Sequence, residues 1–419
     1  MRIVKKIRNK NSIAADKTDF DAVRQIVSDV RSKDDSAVRY YTAKFDKLKL
    51  RSFEISRQQI NEAYRLVGKP IIRRLRMAAR RIKAFAKLQY QQYKNIEVNK
   101  EGILLGQKIV PLQRVGCYVP GGRYPLPSSA LMSVIPAKVA GVKEIIVCSP
   151  NIQPATVVAA DLAGADRIFS IGGAQAIAAL AYGTKSVPKV DKIVGPGNKY
   201  VAIAKKQVYG NVGIDFLAGP SEILIIADET AKPEFIAADL LSQAEHDIAA
   251  IPNLVTTSAV LAKKVNSAID RQLSKLKTKG IAELALKNGD IMLVKTVNQA
   301  ISLANELAPE HLELQVKNPD QYVKRLFNYG SLFIGSYSAE VFGDYCSGTN
   351  HILPTGGAAR YSGGLSVREF IKVLTYQKIS KEGAGKLAKT AVSIAMIEGL
   401  EAHRKAAEIR VAGARNKIG

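Results

Sequence analysis

From about residue 115 the chain alternates short β-rich apolar runs, glycine-rich turns and helical segments. The alternation passes through EIIVCSP, RIFSIGGAQAIAALAYG, KIVGPGNKYVAIAKKQVYG and SEILIIADE, in that order. Strands that alternate with helices in this way are typical of an α/β domain with a largely parallel sheet. In such sheets ligands bind outside the carboxyl ends of the strands, where these turns lie. The sequence therefore predicts an α/β fold with a ligand site at the turns.

The rest of the 419-residue chain divides around this region. Apolar residues recur at helical spacing through the first hundred residues, a second α/β pattern follows the first, and the end of the chain is helical in pattern. A chain of this length is expected to form two or three domains. We predict a helical N-terminal region over 1–114 that joins the first α/β domain, α/β domains over 115–222 and 223–380, and a C-terminal helical tail over 381–419.

Several classes of protein are disfavoured by composition. No apolar run reaches the roughly 18 residues that a membrane span requires, and the basic start MRIVKKIRNKN lacks the apolar segment of a secretory signal. The three cysteines, Cys117, Cys148 and Cys346, show no CxxC spacing, so neither a disulfide framework nor a cysteine-rich zinc site is indicated. We predict a cytoplasmic protein with no membrane partner.

The formal net charge of +25 raises the hypothesis of a nucleic-acid binder. The most basic stretch, IIRRLRMAARRIKAFAKLQY, has the spacing of an amphipathic helix, with an expected apolar face of Ile72, Leu75, Met77, Ala79, Ile82 and Phe85. The positive charge is dispersed along the chain, and no RNA- or DNA-recognition motif accompanies it. We therefore interpret the charge as surface composition and expect no specific nucleic-acid partner, although nucleic-acid binding stays a less favoured alternative.

Two glycine-rich turns, in SIGGAQAIAAL and VGPGNKYVAIAK, precede helical segments. Such turns let backbone N–H groups approach an anion at the start of a helix. Neither turn fits the GxGxxG fingerprint, and in the second turn, GPGNKY, Tyr200 stands where the third glycine belongs. Ordinary strand-to-helix turns are an equally good explanation, and Gln175 and Asn198, which follow the glycines, modestly favour a cofactor site.

The four histidines can be weighed individually. In SQAEHD, a helix from Pro233 would place Gln243 and His246 opposite the apolar face and three residues apart, where they could bind one metal ion or form a mere surface pair. In LAPEHLEL, Glu310 and His311 follow a proline, which predicts the first turn of a helix and a neutral His311 able to accept a proton. An acidic first turn that only caps the helix is equally possible.

The remaining candidates lie in the last quarter of the chain. Asp344, Asn350 and His351 fall in a glycine- and proline-rich stretch that we expect to be a loop, and loops of this kind concentrate functional groups. Glu398 and His403 lie on the predicted tail helix, where a solvated charged face is the simpler interpretation. All four histidines nevertheless lie beside carboxylates, amides or glycines, and Gln, His, Asp and His are plausible zinc ligands.

Six segments, taken in order, resemble the histidinol dehydrogenase family. They are RVGCYVPGGRYPLPSSALMSVIPAKVAGV, VDKIVGPGNKYVAIAKK, GIDFLAGPSEILIIADE, LLSQAEHD, ELAPEHLEL and GDYCSGTNHILPTGGAARYSGGLSV. The resemblance covers nearly the whole chain. It implies an NAD-dependent enzyme of histidine biosynthesis, with zinc, that oxidises L-histidinol to L-histidine through the aldehyde.

The resemblance also implies roles for residues. The zinc ligands would be Gln243, His246, Asp344 and His403. Glu310 and His311 would be the catalytic pair. The substrate would contact the four zinc ligands and His311, and in addition Ser221, His351 and Glu398. The NAD site would be lined by Tyr118, Gln175 and Asn198. The implied fold is aldehyde-dehydrogenase-like, with two Rossmann-like parallel-sheet domains and helical N- and C-terminal extensions, in an intertwined homodimer.

Two chemical alternatives remain. A zinc hydrolase could activate water with the same His, Asp and Glu residues and would not need NAD. An aldehyde could also be oxidised through a covalent bond to cysteine, and Cys346 is the only thiol inside a candidate site loop. Because no activating cation lies near it in sequence, we interpret Cys346 as structural.

Overall fold

The computed structural model describes residues 1–4, 17–121, 124–217 and 219–412. Its strands are β1 (Arg2–Val4), β2 (Ile96–Lys100), β3 (Ile103–Pro111), β4 (Arg114–Tyr118), β5 (Glu144–Cys148), β6 (Arg167–Phe169), β7 (Lys192–Val194), β8 (Gly213–Ile214), β9 (Glu222–Ala227), β10 (Ile251–Thr256), β11 (Asp290–Leu293), β12 (His311–Gln315), β13 (Ser331–Ile334) and β14 (Ile371–Ile379).

Fifteen α-helices lie in the described ranges. They are α1 (Lys17–Asp46), α2 (Arg57–Val67), α3 (Lys69–Tyr90), α4 (Pro127–Ala140), α5 (Pro154–Ala163), α6 (Gly173–Tyr182), α7 (Lys199–Val208), α8 (Pro233–Ala244), α9 (Ala259–Leu273), α10 (Lys279–Leu286), α11 (Val297–Leu307), α12 (Asp320–Val323), α13 (Glu340–Tyr345), α14 (Lys381–Ile397) and α15 (Glu401–Ile409). Two short 3-10 helices, Ala358–Arg360 and Val367–Phe370, follow α13. None of these helices is long and apolar enough to cross a membrane.

The chain forms two compact units. The larger unit comprises Met1–Gln89 with Leu112–Phe370, and the smaller unit comprises Tyr90–Pro111 with Ile371–Gly419. Both sheets of the larger unit are parallel, which confirms the predicted α/β fold class with two parallel-sheet regions.

The first sheet of the larger unit has the strand order β6-β5-β4-β7-β8. The chain winds outward from β4 through β5 to β6 and then returns to β7 on the other side of β4, so the winding direction reverses between β4 and β7. In α/β sheets a ligand crevice opens at the carboxyl end of such a reversal. The strands are buried, as in EIIVC of β5, because helices α1, α6 and α7 cover one face.

The second sheet has the order β1-β11-β10-β9-β12-β13. Its last five strands repeat the winding of the first sheet, with β9 and β12 at the reversal. The EILIIA run of β9 is buried from Ile223 to Ala227, since α8, α9 and α10 pack on one face and α11 packs on the other. The first residues of the chain complete this sheet, because Arg2–Val4 pairs with β11.

Helix α3 contains the most basic stretch of the chain. The predicted helix is present, but its buried residues are Ile72, Ala78, Ile82 and Ala86, whereas Met77 and Phe85 are exposed. The predicted apolar face was therefore wrong in part: Ile72 and Ile82 are buried as expected, but Ala78 and Ala86 are buried in place of Met77 and Phe85.

The smaller unit is built around an antiparallel sheet of order β14-β3-β2. Strands β2 and β3 form a hairpin within the part of the chain whose sequence is helical in character, and β14 pairs with β3 along its whole length, from Ile371 opposite Pro111 to Ile379 opposite Ile103. The predicted C-terminal helical extension is α14 and α15, and Ser380 caps α14 by accepting from the backbone N–H of Gly383.

Candidate active site

A cluster of buried polar side chains surrounds His311 in the larger unit. His311 is the first residue of strand β12, between β9 and β13, and not part of a helix. The predicted helical turn was wrong because Pro309 follows the end of α11, where Ala308 adopts a left-handed conformation (φ 51°), and the HLELQ run then enters the buried sheet. The neighbouring elements of the cluster are the end of α8 and helix α13.

The two ring nitrogens of His311 have different surroundings. Nδ1 lies 3.1 Å from the backbone oxygen of Glu222, and because a carbonyl only accepts, Nδ1 carries the proton. Nε2 is buried without a hydrogen-bond partner among the described residues, at 3.7 Å from Glu340 Oε1 and 3.8 Å from Asp344 Oδ1. Burial lowers the pKa of His311 to about 3. The neutral ring therefore offers a free lone pair on Nε2.

Glu310 precedes His311 and is buried beside it. Its Oε2 accepts a hydrogen bond from the backbone N–H of Glu222 at 2.9 Å and lies 3.7 Å from His311 Nδ1. Burial, and then the nearby carboxylates of Glu222 and Asp344, raise the pKa of Glu310 well above its usual range. A carboxyl with a raised pKa is better matched to proton transfer near neutral pH than an ordinary one.

Gln243 and Glu340 are buried and contact each other within the cluster. The predicted helix at Pro233 is present, but the side chain of Gln243 does not face solvent as expected: it is 0% exposed. One terminal amide atom lies 2.8 and 3.2 Å from the two carboxylate oxygens of Glu340, which identifies that atom as the nitrogen. Glu340 is 1% exposed, and burial raises its pKa.

Asp344 lies four residues after Glu340, on α13, and not in a loop as the sequence suggested. Burial raises the pKa of Asp344 to about 7. The ligating atoms of His311, Glu340 and Asp344 lie within 4.8 Å of one another, an arrangement that could hold a metal ion.

His246 lies two residues beyond α8, at an exposed position, and partial desolvation by surrounding protein lowers its pKa. It is near enough to lower the pKa values of His311 and His351.

His351 connects the two sheet regions of the larger unit. Its Nδ1 lies 2.9 Å from the backbone oxygen of Asp344, and its Nε2 lies 3.2 Å from Ser129 Oγ, on α4. The carbonyl fixes the proton on Nδ1, so the serine hydroxyl donates to Nε2. Burial lowers the pKa of His351 to about 4. The adjacent Asn350 is a structural residue, because its side chain donates to the Met132 carbonyl at 2.7 Å and accepts from Ile352 N at 2.9 Å.

A second group of candidate residues lies at the carboxyl edge of the first sheet. Tyr118 ends β4, and its hydroxyl accepts a hydrogen bond from the backbone N–H of Gly173 at 3.1 Å. Gln175, in the first turn of α6, is buried, and neither end of its amide has a hydrogen-bond partner in the described residues. Asn198 caps α7 by accepting from the backbone N–H groups of Tyr200 and Val201 at 3.1 Å.

Comparison with known proteins identifies the family. The family model for histidinol dehydrogenase matches residues 9–411. The histidinol dehydrogenase of Methanocaldococcus jannaschii is 45% identical over 98% of this chain and 99% of that protein. The one from Lactiplantibacillus plantarum is 48% identical over 93% of this chain and 92% of that protein. The crystal structure of histidinol dehydrogenase from Elizabethkingia anophelis matches with a TM-score of 0.94 and 37% identity, and each chain is 99% covered.

The chain belongs to the histidinol dehydrogenase family. It is therefore an oxidoreductase of histidine biosynthesis, and the resemblance drawn from the six sequence segments is confirmed.

The zinc ion implied by the histidinol dehydrogenase family fits the residues that are present. The buried polar groups of Gln243 and Asp344 and the nearby His246 provide oxygen and nitrogen donors, and the unpartnered Nε2 of His311 lies 3.8 Å from Asp344 Oδ1. A divalent cation here would also stabilise the ionised form of Asp344, which burial otherwise disfavours.

The NAD implied by the histidinol dehydrogenase family also fits. Unpartnered buried amides are rare in proteins, so Gln175 points to a ligand that supplies the missing hydrogen bonds. Gly195, after β7, has φ 112°, and a Cβ there would lie 2.0 Å from the backbone oxygen of Tyr118. The chain thus approaches closely at the β4/β7 reversal, where nucleotides bind in folds of this class.

The other sequence-predicted residues lie as follows. Ser221 directly precedes β9 and is half-buried, and its carbonyl accepts from Ile251 N at 3.0 Å. Glu398 and His403 belong to the smaller unit, at the end of α14 and in α15, and both are exposed there. Cys346 is half-buried and ends α13.

Three residues of the cluster were missed by the sequence interpretation: Ser129, Glu222 and Glu340. Glu222 supplies its backbone to both Glu310 and His311, and its carboxylate accepts from Gly356 N at 2.9 Å. Burial raises the pKa of Glu222 to about 7. Only Glu340 had a usable signal, since Glu340 and Asp344 share one face of a helix at i, i+4 spacing.

Proposed function

We propose that this chain catalyses the zinc-dependent, NAD-linked, four-electron oxidation of L-histidinol to L-histidine through the aldehyde. The observation that carries the proposal is the His311 ring, which is held neutral by burial, with Nδ1 anchored and Nε2 free beside Asp344. Family membership supplies the substrate, and this geometry supplies a base.

His311 is assigned as the base of the first step. The substrate alcohol loses its hydroxyl proton to Nε2 of His311 while a hydride leaves the carbon that bears the hydroxyl, which gives the aldehyde. The hydrogen bond from Nδ1 to the Glu222 carbonyl holds the ring in the required tautomer and orientation. NAD, when bound, supplies the acceptor for the hydride.

Glu310 is assigned as the base of the second step. It removes a proton from water, whose oxygen adds to the aldehyde carbon, and the resulting hydrate loses a second hydride and a proton to give the carboxylate. The raised pKa of Glu310 makes the ionised form a stronger base than an ordinary glutamate. His311 accepts a proton in this step as well.

Gln243, His246 and Asp344 are assigned as metal ligands, together with His403 of the partner subunit. A zinc ion held by these residues would supply Lewis-acid chemistry and would help to orient the substrate. Ser221, His351 and the partner subunit's Glu398 complete the substrate contacts, in addition to the ligands and His311. Tyr118, Gln175 and Asn198 are assigned to NAD. The amide nitrogen of Asn198 is the group free to contact a ligand, since its oxygen caps α7.

The assembly assigned to the enzyme is a cytoplasmic homodimer with shared active sites. The family resemblance supports this assembly, and so does the exposure of Glu398 and His403 on the tail helices. No membrane or specific nucleic-acid partner is assigned.

The decisive test is the formation of NADH from L-histidinol and NAD. We expect two NADH for each histidine formed, and activity that is lost on chelation and restored by zinc while circular dichroism stays unchanged. A protein that forms no NADH but hydrolyses small amides or esters in the presence of zinc would be a hydrolase. Full activity without any bound metal would remove zinc from the proposal.

A further inference from the structure

The contact between Glu340 and Gln243 determines which end of the Gln243 amide faces the site. Both carboxylate oxygens of Glu340 lie within hydrogen-bonding distance of the same amide atom, at 2.8 and 3.2 Å, and His311 Nδ1 lies 3.3 Å from that atom with its hydrogen directed at the Glu222 carbonyl. A nitrogen with two hydrogens can serve both oxygens of the ionised Glu340 carboxylate, whereas an amide oxygen would face two acceptors. The amide oxygen is therefore directed away from Glu340.

Glu340 is itself held in place from behind. Its backbone N–H donates to Glu313 Oε1 at 3.1 Å, and Glu313 Oε2 accepts from Gln315 Nε2 at 2.8 Å. Gln315 also donates to Asp239 Oδ2 at 3.1 Å, on the same helix as Gln243. All four side chains, of Glu340, Glu313, Gln315 and Asp239, are buried, so this network anchors α13 to the sheet and to α8.

The orientation matters because a glutamine binds metal only through its oxygen. Its amide nitrogen has no lone pair to offer and repels a cation. Without Glu340, the nitrogen would lose the acceptor that holds it, and either end of the amide could face the site. The same contact also polarises the amide and raises the electron density on its oxygen.

We propose that Glu340 is a positioning residue, which turns the oxygen of Gln243 toward the metal and is not itself a ligand. The inference rests on the zinc role of Gln243 in the proposed function. Residues that orient metal ligands in this way change metal affinity about 10- to 100-fold when they are replaced.

The test is a double-mutant cycle read as zinc affinity, not as activity. The zinc dissociation constant of metal-free protein is measured by competition with a chromophoric chelator for the parent, Glu340→Gln, Gln243→Ala and the double variant. We expect each single variant to bind zinc about 10- to 100-fold more weakly. If Glu340 acts through Gln243, the double variant should lie within about threefold of Gln243→Ala.

The other outcomes are equally informative. Losses that multiply in the double variant would show that Glu340 binds the metal directly or acts only through its charge, and would overturn the inference. A parent enzyme that binds no zinc would refute the assignment of the metal ligands, and the inference about Glu340 with it. This result differs from losses of zinc affinity that multiply in the double variant, which would refute only the role of Glu340.

Two controls test whether a loss of zinc affinity has a general cause, such as the loss of any buried carboxyl or a misfolded variant. Asp290→Asn neutralises another buried carboxyl of the same sheet, at 1% exposure, and should leave the zinc dissociation constant within about threefold of the parent. Glu340→Gln nearly conserves volume, and its circular dichroism and NAD affinity should match those of the parent. Glu340→Ala provides a second route to the same cycle if the glutamine variant folds poorly.

Discussion

At the scale of residues, the two adjacent side chains Glu310 and His311 have opposite responses to the same burial. Burial raises the pKa of the carboxyl and lowers that of the imidazole, because in each case it disfavours the charged form. Glu310 is thereby favoured in its protonated form, whose conjugate carboxylate is a stronger base than usual, and His311 is neutral in the resting enzyme and able to accept a proton.

This division of roles predicts different effects of substitution. His311→Asn should slow both half-reactions about 10²- to 10⁴-fold, since both release a proton, whereas Glu310→Gln should chiefly slow oxidation of the aldehyde, which consumes water. The measurement is the rate of NADH formation from the alcohol and, separately, from the aldehyde. Equal losses in the two assays for Glu310→Gln would contradict the assignment.

At the scale of elements, the turn after β7 is a point of close approach at the first sheet's carboxyl edge. Gly195 has φ 112°, and a Cβ there would meet the Tyr118 backbone, which cannot yield as a side-chain end could. Gly195→Ala should therefore lower the free energy of unfolding by about 2 to 3 kcal/mol and weaken NAD binding.

The matched control for this prediction is Gly210→Ala. Gly210 also has a left-handed conformation, φ 97°, but a Cβ there would meet nothing within 4 Å. Its loss should be about 1 to 2 kcal/mol, from backbone strain alone, with NAD affinity unchanged. Chemical denaturation and NAD titration of both variants measure the difference, and equal effects would show that close approach at Gly195 is unimportant.

Local patterns predicted elements well and the partners of individual residues poorly. Helix α8 is present as expected at Pro233, because its apolar spacing and its proline are local signals. The LAPEHLEL segment was assigned wrongly, because proline marks the turn after a helix as readily as the start of one. Ser129 could not be found, since its contact with His351 joins positions 222 residues apart.

The assignment of site residues by family resemblance is a proposal, and the domain boundaries near residues 114, 222 and 380 stay predictions. The structure brings Gln243, Asp344 and His311 into one cluster, and no local pattern could have predicted those distances. What periodicity alone provided was the fold class and the positions of the glycine-rich turns.

At the scale of the whole molecule, buried carboxyls make stability depend on pH. Burial raises the pKa values of Glu222 and Asp344 to about 7, and it also raises those of Glu310, Glu313 and Glu340. Near pH 6.5 the unfolded chain has already ionised Glu222 and Asp344 while the folded chain still holds most of their protons, so the folded state binds more protons. The free energy of unfolding of the metal-free enzyme should therefore fall as the pH rises from about 6.5 to 8.

The depressed histidines oppose this trend only at the lower end of the interval. His311 and His351 have pKa values lowered to about 3 and about 4, whereas their ordinary pKa is near 6.5, so the unfolded chain still loses histidine protons up to about pH 7.5 and both forms hold the rings neutral above that pH. Urea denaturation in the presence of a chelator measures the slope, and Glu313→Gln, which removes one of the carboxyls, should flatten it. Stability that rises over this interval would contradict the shifts.

The proposed shared active site predicts complementation between inactive subunits. His246→Ala and His403→Ala each damage one contribution to every site, but a mixed dimer contains one site with both lesions and one with none. After equal mixing and full exchange, about a quarter of parental activity should return, since half of the dimers are mixed and each has one intact site. Proven exchange with no recovered activity would place all four ligands on one chain.

The pairing of the first strand with β11 has a consequence for the order in which the molecule is made. Arg2 is synthesised long before its partner Asp290, which follows almost 290 residues later. At about 5 to 20 residues per second, the leading strand therefore waits on the order of 15 to 60 s for the edge it completes. The first sheet can close during that interval, because β4 to β8 span residues 114–214. The second sheet's edge at β11, by contrast, becomes complete only when Arg2–Val4 pairs with the later-synthesised β11.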